Sequence, residues 1–199
     1  PASFEDYVIS YMGEIIAQAT EDSIWNGTAA TNGEFEGFLT AATGAFAVNG
    51  NTVPTTNAGG AAVAYTAVNI IENLQIIAAA IPATVYGKED LRIYMNWKTY
   101  RFYVSAISTL GYVNLYNMNN DYEAMFEGIK LAVVYGMPDD QLVAAQTSNL
   151  YFGTDLISDT TQVKMLDMSP LDGSENLRFV AKYSGGVQVG MGAEVVWQD

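Results

Sequence analysis

Carboxylates are the side chains of this sequence that could perform acid–base chemistry. The 199 residues include no histidine and no cysteine, so the chain cannot supply a Ser-His-Asp triad, a thiol nucleophile, a thiolate metal site or a disulfide. A carboxylate-based hydrolase needs two acids across the scissile bond, one with a raised pKa. Three close acid pairs are present: Asp139 with Asp140, Glu34 with Glu36, and Asp155 with Asp159. None lies in an apolar cleft motif, so we predict no catalytic residues and no turnover.

Metal and cofactor motifs are also missing. A calcium loop needs alternating acids, a glycine and a terminal glutamate, and no acid cluster has that spacing. The glycine-rich segment 25–39 is not followed by the Lys-Ser/Thr pair of a phosphate-binding loop. We therefore expect no metal site, no cofactor and no cofactor-binding residue.

The charge of the chain is strongly one-sided. Eight Lys and Arg stand against 22 Asp and Glu, giving a formal net charge of −14, and no basic residue precedes Lys88. Such a surface repels nucleic acid and anionic membranes, and no apolar run reaches the ~18 residues of a membrane helix. We expect no membrane partner and no tight DNA binding at physiological salt. The acid excess serves solubility or, alternatively, a surface that faces packed DNA without binding it.

Four of the eight basic residues fall between Lys88 and Arg101. A nucleic-acid patch made of four cations among so many acids would be weak. The cluster is more typical of a solvated face or of a salt-bridge patch between subunits.

A long helix is predicted over residues 3–24. Ser3 can cap it, and Asn26-Gly27 provides a stop signal. At roughly 30 Å such a helix spans a small domain, and we expect it to be the main stability element. We expect Ile15→Ala or Val8→Ala to cost roughly 2–4 kcal/mol if each is fully buried, and Glu14→Ala less than roughly 0.5 kcal/mol. The apolar stripe assigned to its buried face consists of Phe4, Val8, Tyr11, Ile15 and Ala19, widened by Met12 and Ile16.

The remaining pattern mixes helices and strands without βαβ alternation or internal repeats, which indicates the α+β class. Further helices are predicted over 61–81, ended by Pro82, and over 97–109, capped by Asn96. Residues 110–123 are predicted to form a polar loop, and 149–156 are predicted to include a turn. Strands are predicted over 91–95, 124–136, 163–168, 176–184, 187–189 and 193–197, with Gly185-Gly186 turning the 176–184 strand into 187–189.

The order of these pieces resembles the major capsid proteins of tailed bacteriophages, a fold shared with encapsulin shells. The first helix is similar to the family's spine helix, and the glycine-containing segment after it is similar to the loop that closes that helix. The resemblance covers the whole chain as an ordered pattern. The matching segments are 4–27, 33, 36–39, 92–97, 130–138, 151–155 and 177–197.

The resemblance implies a phage major-capsid-like fold with two subdomains. The peripheral, β-rich subdomain would contain residues 1–40 and 158–190, including the spine helix. The axial α/β subdomain would contain 41–157 and 191–199. Residues 110–123 would form the axial tip, which meets neighbouring copies around a five- or six-fold axis.

The function implied by the resemblance is structural. The chain would be a major capsid subunit of a tailed phage or prophage that assembles into an icosahedral shell around DNA. Its partners would be its own copies in pentamers and hexamers, with scaffold, portal and decoration proteins. It would occur in the virion, and in the host cytoplasm during assembly. An encapsulin-like compartment shell is the first alternative, and a carboxylate-based hydrolase is the second.

In the family an N-terminal arm and an extended loop precede the spine helix and reach over neighbouring subunits. Residues 1–199 start at the helix, and no residue matches the cross-linking groups that some members use. We therefore expect residues 1–199 alone to be a monomer or small oligomer, and shells to form when an N-terminal segment is present.

Overall fold

A mixed six-stranded sheet forms the centre of the computed structural model, which describes residues 2–29, 34–40, 51–53, 64–109, 124–154, 163–168, 173, 177–181 and 184–198. The helices described are α1 (Ala2–Asn26), α2 (Ile70–Ala80) and α3 (Trp97–Thr109). The strands described are β1 (Asn51–Val53), β2 (Leu91–Met95), β3 (Met125–Phe126), β4 (Ile129–Val133), β5 (Leu142–Gln146), β6 (Leu150–Thr154), β7 (Val163–Asp167), β8 (Leu177–Ala181), β9 (Gly185–Val189) and β10 (Val196–Gln198). Short 3₁₀ turns lie at Thr147–Asn149 and Gly192–Glu194.

The strand order in the central sheet is β1-β10-β5-β2-β4-β3. Strands β2 and β4 run parallel, and β5 runs antiparallel to both of its neighbours, β2 and β10. All five residues of β5 are buried, so this strand lies in the middle of the fold. Two smaller two-stranded sheets pair β6 with β9 and β7 with β8.

The two faces of the sheet carry different layers, because successive side chains of a strand point to opposite faces. Ile93, Leu142 and Val196 belong to one apolar cluster with residues of α2 and α3. Their chain neighbours Tyr94, Val143 and Trp197 belong to a second cluster, which contains Trp25 at the end of α1 together with Phe38 and Leu39. The result is three layers, with α2 and α3 on one side of the sheet and the end of α1 on the other.

The elements β2 and α3 have the bounds expected from the sequence, because their start signals are local. Asn96 caps α3: its side-chain oxygen accepts a hydrogen bond from the Thr99 N–H at 2.7 Å. The end of α2 before Pro82 also agrees with expectation.

The predicted start of α2 at residue 61 is wrong, because the helix begins at Ile70. The Asn69 side chain accepts a hydrogen bond from the Thr66 N–H at 2.7 Å and donates one to the Ala64 carbonyl at 3.1 Å. Such side-chain to backbone bonds compete with helix formation, so residues 64–69 form coil and a turn instead.

Helix α1 exists over the predicted region, but its predicted buried face is only partly correct, because Tyr11, Ile15 and Ala19 are exposed. Tyr11 is 54% exposed and Ile15 is 46% exposed. The half-buried part of the predicted stripe is the row of Val8, Met12 and Ile16. The packing of the sheet explains the difference: α2 and α3 cover one of its faces, and the last turn of α1, with the buried Trp25, contacts the other.

The end of α1 is fixed by the segment that follows it. The backbone N–H groups of Gly37, Phe38 and Leu39 donate hydrogen bonds of 2.9 Å to the carbonyls of Gly27, Ile24 and Trp25. These bonds satisfy carbonyls that a helix end leaves without partners. Close approach of the two segments requires Gly27 and Gly37, where an added Cβ would lie 2.2–2.6 Å from backbone atoms.

Several strand predictions are corrected by the observed pairing. The turn predicted within 149–156 is strand β6, and β9 begins at Gly185 and pairs with β6 rather than turning back on β8. The strand predicted over 124–136 is β3, a tight turn at Glu127-Gly128 and β4.

The sequence pattern does not predict strand β5, and the last strand spans Val196–Gln198 rather than 193–197. The predicted axial tip, 110–123, lies outside the described residues.

Candidate interaction surfaces

The acid pair Asp139–Asp140 takes part in structural hydrogen bonds. The Asp139 carboxylate accepts hydrogen bonds from the Asn96 amide and from Lys98 Nζ, which also forms a salt bridge with it at 2.5 Å. The Asp140 carboxylate accepts a hydrogen bond from the Tyr65 N–H at 2.6 Å. The two acids therefore hold different segments together and do not face a common site.

The other acid pairs show no catalytic constellation in the part of the chain that the structure describes. Glu34 is exposed, and Glu36 is half-buried with one carboxylate oxygen that is buried and has no hydrogen-bond partner. Asp155 and Asp159 lie outside the described residues. Among the described residues, no cluster of three or more acids is arranged to hold a metal ion.

Three surface grooves also fail to bring acids together. They have volumes of about 640, 470 and 470 Å³ and contain one acid each, respectively Glu127, Glu89 and Asp22. A two-carboxylate mechanism needs both groups at one cleft, and none of these three grooves provides that. Large apolar and aromatic side chains are exposed at several places on the described surface.

The first such surface is the outward face of α1. Tyr7, Tyr11 and Ile15 are large, exposed and spaced four residues apart, so they form a single stripe along the helix. The rings of Tyr7 and Tyr11 are stacked with their centroids 6.3 Å apart. Contiguous exposed apolar stripes are typical of interaction surfaces.

The stripe leads into the third groove, which lies between α1 and the segment 135–138. Ile15, Ala19, Asp22, Tyr135 and Pro138 are among its lining residues. Two hydrogen bonds hold segment 135–138 against α1. The Asn26 amide donates to the Gly136 carbonyl at 2.5 Å, and the Tyr135 N–H donates to the Glu21 carboxylate at 2.8 Å.

A second exposed surface is the start of α3. Trp97 is 57% exposed, and the neighbouring Lys98 and Arg101 are exposed as well. This surface contains two of the four basic residues that the sequence places between Lys88 and Arg101. Lys98 forms an ion pair with Asp139, whereas Arg101 has no ion-pair partner among the described residues.

The Lys98–Asp139 pair shifts both pKa values. The hydrogen bond from Lys98 lowers the pKa of the Asp139 carboxyl from its ordinary value of 3.8, and the Asn96 amide lowers it further. The hydrogen bond to Asp139 raises the pKa of Lys98. A lowered carboxylate pKa gives stability above the ordinary pKa, which is lost as the pH falls through the folded value. A raised lysine pKa gives stability that is lost as the pH rises through its folded value.

We expect Asp139→Asn to flatten the acid limb of the stability profile. The wild-type urea midpoint should fall as the pH is lowered from about 5 to about 2, and it should fall less in the variant, which has no titrating carboxyl at this position. The effect should be small because both side chains are about half exposed. Superimposable acid limbs for the two proteins would contradict this assignment.

Comparison with known proteins identifies the fold. No protein-family model and no curated protein matches the sequence. Among solved structures, the capsid of an empty GTA particle matches with a TM-score of 0.60 and 18% identity, over 98% of this chain and 65% of that one. The capsid of cyanophage A-1(L) matches with a TM-score of 0.56 and 12% identity, over 98% and 69%. A virus-like particle from Pyrococcus furiosus matches with a TM-score of 0.50 and 9% identity, over 94% and 64%.

The chain therefore has a phage major-capsid-like α+β fold, as its sequence resemblance predicted. It spans just under two thirds of the length of the GTA capsid chain. No helix in the described part of the chain is both long and apolar enough to cross a membrane.

Proposed function

We propose that this chain is a structural shell protein, the major capsid subunit of a tailed phage or prophage that assembles into an icosahedral shell around DNA. The observation that carries the proposal is the match of 98% of the chain to a capsid subunit. A fold alone does not assign a function, so the surfaces are the second support. Among the described residues they offer an apolar stripe, an open groove and an exposed tryptophan.

The same proposal includes two subdomains. The peripheral one contains residues 1–40 and 158–190, and the axial one contains 41–157 and 191–199. Strand β10 supports the return of the chain to the axial part, because it lies between β1 and β5 in the central sheet. Residues 110–123 are the proposed tip at the capsomer axis.

The proposed partners are other copies of this chain in pentamers and hexamers, with scaffold, portal and decoration proteins. The proposed locations are the virion and, during assembly, the host cytoplasm. The net charge of −14 is compatible with a wall that encloses DNA without binding it tightly. The absence of histidine and cysteine supports the proposal that the chain is not an enzyme.

An encapsulin-like compartment shell is the second candidate, because the virus-like particle from Pyrococcus furiosus has a similar fold. The two candidates differ in what the shell encloses. A phage capsid protects DNA, whereas the compartment encloses a cargo enzyme.

Light scattering and analysis of particle contents test the proposal. The complete translation product that contains residues 1–199 is expressed with its neighbouring genes, and large particles are isolated and treated with nuclease. We expect a narrow population of particles containing nuclease-protected DNA. Particles that enclose a protein cargo and no DNA would favour the compartment. A product that stays monomeric at all concentrations would contradict both.

A further inference from the structure

We propose that the groove between α1 and segment 135–138 receives Trp97 from a second copy of this chain. This inference rests on the proposed shell function and names one contact within it. The groove (lined by residues that include Ile15, Ala19, Tyr135 and Pro138) is called here the α1 groove. Trp97 with Lys98 and Arg101 is called the Trp97 patch.

The α1 groove is a surface that a partner would stabilise. Ile15 and Tyr135 are large apolar or aromatic side chains exposed at the groove, and Tyr7 and Tyr11 continue the exposed stripe along α1. Covering them removes apolar area from water, which is favourable by about 25 cal/mol per Å². Tyrosine is also among the residues enriched in protein interfaces.

The charges around the groove select the kind of partner. Glu14 is exposed on α1 one position before Ile15, and Asp22 lines the groove itself. Residues 1–87 contain no Lys or Arg. Pairing of α1 with α1 of another copy would therefore bring acids together with no compensating cation, and like charges at an interface are costly. The complementary surface must be basic as well as apolar.

The Trp97 patch has both properties. Trp97 is more than half exposed, and Arg101 follows it by one helical turn, exposed and with no ion-pair partner among the described residues. Tryptophan and arginine are the side chains that most often dominate interface energies. With Trp97 in the groove, Arg101 would lie within reach of two acids of α1, Glu14 and Asp22.

The size of the groove fits a single aromatic side chain with its neighbours. Its volume of about 470 Å³ falls within the ~300–1,000 Å³ of pockets that hold small ligands. Trp97 of the same chain is not among the residues that line the groove. The groove and the patch lie side by side, because Asn96 and Lys98 both bind Asp139, the residue after Pro138. A second copy can therefore engage both on one face.

Cysteine cross-linking tests the contact directly, because the chain contains no cysteine of its own. Gln18→Cys marks the groove and carries an affinity tag, and Ser105→Cys marks the exposed side of α3 one turn beyond Arg101. The complete translation product is made in both forms, mixed, and treated with a short bis-maleimide. We expect a tagged–untagged dimer. The matched control replaces the Gln18→Cys protein by an Ala83→Cys protein, whose cysteine is exposed beside a different groove. Its mixture with the Ser105→Cys protein should give at least tenfold less dimer.

Charge exchange tests which side chains hold the contact. We expect Arg101→Glu, at an exposed position that should not disturb folding, to reduce the cross-linked dimer at least tenfold. Adding Glu14→Arg should restore it. Trp97→Ala should abolish the dimer while thermal melting shows a folded protein. An unchanged dimer yield in Arg101→Glu and Trp97→Ala would overturn the inference, as would a Gln18→Cys homodimer in place of the mixed one.

The outcome separates this inference from the shell function. Shells that form equally well without the mixed cross-link would overturn the Trp97 contact and leave the capsid proposal in place. A strong mixed cross-link without closed shells would support the contact and contradict the capsid proposal.

Discussion

Replacing Ile77 by alanine is expected to lower the free energy of unfolding by about 2–5 kcal/mol. Ile77 lies on α2 with no exposed area and packs in the cluster between α2, α3 and the central sheet. Truncation removes buried methyl groups and leaves a cavity that close-packed neighbours fill only in part. Urea denaturation followed by circular dichroism measures the change.

Ile15→Ala is the matched control, with the same substitution on another helix. Ile15 is nearly half exposed on α1, so its truncation should cost about 1 kcal/mol or less in the isolated chain. This expectation replaces the larger loss that the sequence pattern predicted for Ile15. Equal losses at Ile15 and Ile77 would contradict the placement of the core between α2, α3 and the sheet.

Replacing Gly136 by alanine is expected to lower the free energy of unfolding by about 1–3 kcal/mol or more. An added Cβ would lie 2.5 Å from the Glu21 carbonyl oxygen and 2.9 Å from the Asp22 Cα, and both are backbone atoms of α1. The helix would have to move away, which would break the hydrogen bond between the Asn26 amide and the Gly136 carbonyl. The same urea titration measures the loss.

Gly13→Ala, in contrast, is not expected to lower the free energy of unfolding. Gly13 lies inside α1, and an added Cβ would meet nothing within 4 Å. Alanine favours a helix over glycine by roughly 0.5–1 kcal/mol, so this variant should be as stable as the wild type or more stable. A Gly136→Ala variant that is as stable as Gly13→Ala would show that α1 does not contact segment 135–138 closely.

Local signals explain what the sequence could predict about the fold. Asn96 caps α3 through its own side chain, and Pro82 prevents α2 from continuing. Strand β2 is a short run of residues typical of strands, and its observed bounds are the predicted ones. The overall order of elements was enough to suggest the capsid fold, which the structural matches confirm.

Tertiary context explains what the sequence could not predict. Strand β5 is buried along its whole length, so it lacks the alternation that marks a half-buried strand. The exposed surface of α1 includes the apolar stripe of Tyr7, Tyr11 and Ile15, and periodicity finds an apolar stripe without showing whether a core or another molecule covers it. At the α1 groove, Asn26 is hydrogen-bonded to Gly136, which lies 110 residues away in the chain. No local sequence pattern predicts such a contact.

Electron cryo-microscopy of particles from cells that express the complete translation product tests the central claim most directly. The proposal predicts closed icosahedral shells whose wall density accommodates the central sheet, with α2 and α3 on one face and the end of α1 on the other. Filaments, open sheets or only soluble monomers under all conditions would contradict the assignment of this chain as a shell subunit.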